Sequence, residues 1–253
     1  MALYFAILNY PAMQNIRLDN LLLIDIETVP EYPAFDNMST EWRTLWEEKI
    51  QRSLPEDISA ADFYPQRAGV MAEFAKVVCI SIGYFKKDNG TLLLRLKSFY
   101  GEDEKKLLGD FMATLQQMEA NSNKWSFCGH NIKEFDIPFI CRRLLVNGLA
   151  IPPFLDFQNM KPWETNIIDT FQYWRFGDYK HFTSLKLLAA ALNVPSPKDD
   201  IDGSMVGDVY WKEKNLDRIV TYCQKDVVTT GNIVLRFKNL PLLTEEQIVI
   251  VNS

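Results

Sequence analysis

The stretch that most limits what this chain can fold into is Leu21-Leu22-Leu23-Ile24-Asp25-Ile26-Glu27-Thr28-Val29-Pro30. Four aliphatic residues in a row fit a buried strand, and Pro30, which has no N–H to give a ladder, ends it. Side chains alternate across a strand, so Asp25 and Glu27 point the same way. Two carboxylates side by side at the end of a buried strand lose hydration and repel each other, a cost that a cation offsets. Oxygen donors of this kind suit Mg²⁺ or Mn²⁺. The same letters also describe a strand whose acids turn into solvent, and D-x-E alone does not decide between the two.

The rest of the chain supplies a sheet for that strand. Residues 76–85 (KVVCISIGYF) and 91–99 (TLLLRLKSF) read as two strands, with Asn89-Gly90 a hairpin turn between them. Residues 102–118 form an amphipathic helix, 125–128 a short buried strand, 137–146 a helix and 167–171 a further strand. Helices follow at 183–192 and 215–237. A hairpin followed by alternating helices and strands predicts a mixed sheet of about five or six strands, with helices on both faces. Residues 31–75 read as a helical insertion after the first strand, too small for a core of its own. Within it, 39–50 has a helical face and 67–74 a shorter one, with Pro55 and Pro65 as interruptions. Residues 1–19 read as a leader, 20–240 as the domain and 241–253 as a C-terminal tail.

Composition narrows the function classes. The net charge of −6 argues against coating nucleic acid by bulk electrostatics, though not against gripping a few phosphates through metal ions and local lysines. Four scattered cysteines and two histidines make a zinc site a poor fit. Buried free thiols in a reducing cytoplasm are the expectation. No apolar run reaches the ~18 residues of a membrane span, and no secretory signal or membrane partner is expected.

Two further acidic groups stand out. In Phe127-Cys128-Gly129-His130-Asn131-Ile132-Lys133-Glu134-Phe135-Asp136, a strand ends near Gly129 and a helix starts near Asp136. An acid there is stabilised by the helix dipole, whether or not it does more than cap. Tyr222 and Asp226 lie four apart, one turn above the other, on the flank of the last helix's apolar stripe. Taken singly, each fits an ordinary cap or surface pair.

In that order, the three groups resemble the 3′→5′ exonucleases of the DnaQ-like superfamily, which have the ribonuclease H-like fold. Tyr222, where other members carry His, resembles the DEDDy group. The wording I-D-I-E-T, N-x-x-x-F-D-I-P-F and Y-C-x-x-D looks most like the proofreading domain of family B DNA polymerases and its stand-alone relatives. The resemblance implies an α/β, ribonuclease H-like fold. It implies that Asp25, Glu27, Asp136 and Asp226 hold two divalent ions, Mg²⁺ or Mn²⁺, about 3.5–4 Å apart. Tyr222, with Asp25, Glu27, Asp136 and Asp226, completes the implied catalytic set, orienting the attacking water. His130 is read as a turn residue and no substitute for it. Thr28, Asn131, Phe135, Ser184 and Leu185 match positions that touch the substrate, although Phe135 and Leu185 also read as core. Arg142, Arg143, Lys212 and Lys214 read as solvated faces that could also meet phosphate. The implied reaction is phosphodiester hydrolysis from the 3′ end of single-stranded DNA. An RNA or oligoribonucleotide exonuclease, or an inactive binding module, are the alternatives.

Overall fold

The strand read from the sequence becomes β1 (Leu21–Pro30), with Leu21 to Ile24 buried. The computed structural model describes residues 13–120, 125–158, 160–161, 164–195 and 201–251. The expected hairpin forms β2 (Ala75–Asp88) and β3 (Thr91–Tyr100). Asn89 and Gly90 both take positive φ, +47° and +85°, as a tight turn between twisted strands requires. β4 (Ser126–Gly129) and β5 (Ile167–Asp169) are parallel to β1, which β2 pairs antiparallel. β6 (Ile248–Ile250) joins the far edge parallel to β3, giving the order β5-β4-β1-β2-β3-β6. The first five strands in this order make the ribonuclease H-like sheet, and the fold is α/β as expected.

Alternation along β1 sends its side chains into two cores. Leu22, Ile24 and Ile26 join Leu108, Phe111 and Leu115 of one helix, α3 (Glu104–Ala120), and Phe139 and Ile140 of a second. Leu21 and Leu23 join Val227 and Val234 of the last long helix on the other face. The residues between α3 and that last helix supply the second helix, α4 (Asp136–Val146), then α5 (Thr170–Arg175), α6 (Leu185–Ala191) and the short α7 (Val206–Asp208). The last helix itself is α8 (Leu216–Phe237). Among the described residues no helix is long and apolar enough to cross a membrane.

Several expectations need correction. The insertion contains α1 (Thr40–Ile50) and α2 (Ala60–Arg67), and it does have a core. Trp46, Ile50, Tyr64 and Phe74 are buried together, with the Trp46 ring 5.2 Å from those of both Tyr64 and Phe74. A few large aromatics bury the area that many aliphatics would otherwise supply. No α-helix covers 67–74: α2 lies before it, capped by Ser59, which accepts a bond from Asp62 N at 3.1 Å, and a single 3-10 turn, Ala68–Val70, follows. Residues 244–251, read as tail, supply β6. The strand expected through 171 stops at Asp169, whose carboxylate caps α5 by accepting from the N–H groups of Phe171 and Gln172. Of the leader, residues 1–12 lie outside the described residues, and the buried side chain of Met13 belongs to the α8 core.

Arg143 departs furthest from its expected solvated face. It is 4% exposed and bonds Glu104 through Nη2 at 2.6 Å and Nε at 2.9 Å. It also donates to Ala72 O and to Glu31 just beyond β1. It falls on the Phe139, Ile140, Leu144 stripe of α4, so it must be either paired or expelled. Lys212 and Lys214 are exposed, as expected.

Candidate active site

β1 ends its buried run with Asp25 half-buried and Glu27 buried, both on the face covered by α8. The register slips between Glu27 and Thr28, so the chain bulges just past the two acids. Bulges re-aim side chains at such positions. From α8, the thiol of Cys223 comes down between them: its Sγ and carboxylate oxygens of Asp25 and Glu27 all lie within 4.8 Å of one another. Tyr222 and Asp226 flank Cys223 on the same helix and share a hydrogen bond.

Asp136 arrives from the β4–α4 turn, where its Oδ1 accepts a bond from Ile26 N at 3.2 Å, locking the start of α4 against β1. That approach needs Gly129: a Cβ there would come within 2.7 Å of Ile24 O. Asn131, at φ +64°, turns the chain onward. The five expected catalytic residues therefore come from three separate elements to one end of the sheet.

Among the described residues no cation pairs with Asp25, Glu27 or Asp136. Burial first, and then the nearby carboxylates of Asp226 and Asp136, push Asp25 well above the usual carboxylate range. Glu27 is raised for the same reasons, burial and then Asp25. Burial pushes Asp136 up to about 8. Asp25 Oδ2 is buried and accepts no hydrogen bond from the described residues. Burial beside Asp226 and Glu27 also pushes the Tyr222 phenol far up, so it stays protonated.

The expected substrate residues divide. Asn131 and Phe135 flank the turn that carries Asp136; Asn131 Oδ1 is buried without a partner, while Phe135 packs on the core, its ring 5.4 Å from that of Phe139. The Thr28 hydroxyl donates to Gly69 O at 2.6 Å. The Ser184 hydroxyl caps α6 by accepting from Leu187 N, and Leu185 packs on that helix's own small core.

Comparison with known proteins follows this geometry. Residues 70–248 match the family model described as a predicted 3′-5′ exonuclease related to the exonuclease domain of PolB. The chain belongs to this family. The matched span holds Asp136, Tyr222 and Asp226, whereas Asp25 and Glu27 precede it. No curated protein matches the chain. Among solved structures it is similar to the family B DNA polymerase from the hyperthermophilic archaeon Pyrobaculum calidifontis, at 16% identity and a TM-score of 0.49. The similarity covers 83% of this chain and 23% of the polymerase chain, so this chain spans less than a quarter of the polymerase.

This member of the exonuclease family has three supporting residues that sequence reasoning missed. Asp169 is buried and holds the Asn131–Lys133 turn by accepting from both backbone N–H groups, at 3.0 and 3.1 Å. Its signal was an acid closing a short apolar strand, the same pattern as in β1. His130 clips two segments together: Nδ1 lies 3.0 Å from Thr170 Oγ1 and Nε2 2.8 Å from Thr183 O. That second bond ties the segment bearing Ser184 to the Asn131 turn. Cys223 donates its S–H to Asp25 O at 3.4 Å. Burial and the neighbouring Cys79 raise its pKa well above the usual thiol value. Held protonated in this metal-free state, the thiol braces β1 through that bond.

Proposed function

We propose that this exonuclease-family chain is a metal-dependent enzyme removing nucleotides from the 3′ end of single-stranded DNA. The observation that carries the reading is the buried Asp25 Oδ2 beside Glu27, which among the described residues has no hydrogen-bond partner and no cation paired with its carboxylate. Such a group in a folded protein needs a cation or a proton. Hard oxygen donors fit Mg²⁺ or Mn²⁺. Asp25, Glu27, Asp136 and Asp226 would hold two such ions, which supply a lowered pKa to the attacking water and stabilise the departing 3′-oxygen.

The protein's own groups do the rest. The Tyr222 hydroxyl, kept protonated, gives its one hydrogen to Asp226 and accepts a hydrogen bond from the attacking water, which orients it. A phenol this hard to ionise takes no proton, so its contribution is positional. The Asn131–Phe135 turn receives the terminal nucleotide, and Thr28 meets it through its backbone. Ser184 and Leu185, drawn in through His130, border the strand. The free cysteines Cys79, Cys128, Cys141 and Cys223 suit a reducing compartment such as the cytoplasm.

The test is incubation of the purified chain with 5′-labelled single strands of DNA and of RNA in Mg²⁺, Mn²⁺ or EDTA. Stepwise shortening from the 3′ end, lost in EDTA, is expected, with DNA the better substrate. Full cleavage in EDTA, or cuts in a circular single strand, would overturn the reading.

A further inference from the structure

A groove of about 880 Å³ lies over the hairpin strands, on the α3 side of the sheet. Register places it there. Leu22, which packs under α3, pairs with Tyr84, and Tyr84 pairs with Arg95, so all three share a face. By the same rule Lys97, opposite Ile82, lines that face too. Asp25 and Glu27 lie on the opposite face, under α8.

The lining of the groove is unusual for a chain of net charge −6. Arg17, Lys86, Lys87, Arg95 and Lys97 all border it, against a single lining carboxylate, Asp19, which Arg17 already binds. Among the described residues Arg95, Lys86 and Lys87 form no ion pair, and Lys97 overlies the Phe99 ring, 5.1 Å from its centre. Two buried donors, Arg95 Nε and Trp125 Nε1, have no acceptor among the described residues. Tyr84 and Trp125, edge to face with centroids 5.9 Å apart, stand half-buried in the wall. Cations beside accessible aromatic rings match a ligand that alternates phosphates with flat bases. The volume is that of an organic ligand site and exceeds the needs of a lone phosphate.

We propose that this groove is a second binding site, for a single-stranded stretch of nucleic acid, separate from the site of cleavage. Arg95, Lys97 and the Lys86–Lys87 pair meet phosphates, while a base packs against Tyr84 and Trp125. A paired base is already stacked within its helix, so a single strand is the form that fits. The site needs no metal ion, so binding there is separable from the proposed hydrolysis.

The experiment is fluorescence anisotropy of a labelled single-stranded 12-mer with the full chain in EDTA, titrated at several salt concentrations. The variants are Lys86→Glu with Lys87→Glu, both exposed near the end of β2, and Arg95→Gln, with melting temperatures checked against the parent. Each is expected to bind at least ~10-fold more weakly, and the lysine pair to flatten the salt dependence by about 1.4 in log–log slope, at ~0.7 per phosphate contact. Asp25→Asn is expected to bind like the parent. Parent-like affinity and slope in the folded groove variants would overturn the proposal, as would competition by inorganic polyphosphate equal to that by the strand. Hydrolysis of the p-nitrophenyl ester of thymidine 5′-monophosphate with Mn²⁺ keeps the two readings apart. The groove variants should hydrolyse it as the parent does. A parent that binds the strand but is inert in both cleavage assays overturns the nuclease reading and leaves the groove standing.

Discussion

Two groups of buried charge sit on either side of β1, and they are built on opposite principles. Around Glu104, every oxygen is answered: Arg143 bonds both of them, Val77 N donates to Oε1 at 2.7 Å and Asn147 Nδ2 to Oε2 at 2.8 Å. Around Asp25, carboxylates crowd together, one oxygen has no partner, and the pKa values of Asp25, Glu27 and Asp136 rise. The first arrangement joins α3, α4 and the insertion. The second is unstable by itself and is held together by backbone bonds, Ile26 N to Asp136 and Cys223 to Asp25 O, and by the packing of its three elements. Buried charge is thus structural where it is matched and functional where it is left open.

The largest effect should follow from removing an acid of the Asp25 cluster. Asp25→Ala or Asp226→Ala should cut single-turnover cleavage by at least ~10³-fold while leaving the metal-free chain at least as stable, because a repulsive charge has gone. A large loss of metal-free stability would mean that the cluster is structural after all. Next comes the matched group. Glu104→Ala strands the Arg143 guanidinium and should cost about 3–5 kcal/mol in denaturant unfolding, whereas replacing both by apolar residues should recover most of it. If the single change is mild, the contrast between the two clusters fails.

Tyr222→Phe ranks third. It removes one hydroxyl and leaves every proposed ligand, so cleavage should fall by up to ~10²-fold while melting still responds to Mn²⁺. Parent-like cleavage would reduce Tyr222 to a packing residue. The smallest effect is on stability against pH. Carboxylates with raised pKa bind more protons folded than unfolded, so metal-free stability should decline as pH rises from about 4, the unfolded value, towards the value of about 8 for Asp136. Mn²⁺ at ten times its Kd should return about 1.4 kcal/mol at neutral pH and flatten the decline. A melting temperature that rises over this range without metal would contradict the raised values.

The unmatched cluster was far more legible in the sequence than the matched one. Asp25 and Glu27 follow an apolar run, and Tyr222 and Asp226 keep helical spacing, so local periodicity brings each pair together. Arg143 reads like its neighbour Arg142 until its partners are known, and Glu104 is 39 residues away. Its place on the apolar stripe of α4 was the one available clue. β6 escaped because three residues at a sheet edge carry little periodicity. Asp169 escaped because its strand was read two residues too long. The insertion's core was hidden by its low count of apolar residues, which overlooks how much one tryptophan covers.

One consequence concerns timing rather than position. α8 carries Tyr222 and Asp226 on the same turns that bury Cys223 and Val227, with Val234 further along the core. Amide hydrogens over those turns should therefore exchange with solvent only when the whole domain opens. The Asn131–Phe135 turn lacks a helix's hydrogen-bond ladder and is tied to the sheet through the Asp169 carboxylate and the buried Ile132, so its amides are expected to exchange sooner. The helical half of the site would then act as a fixed jaw, and whatever movement admits or releases a nucleotide would fall to the turn in front of Asp136.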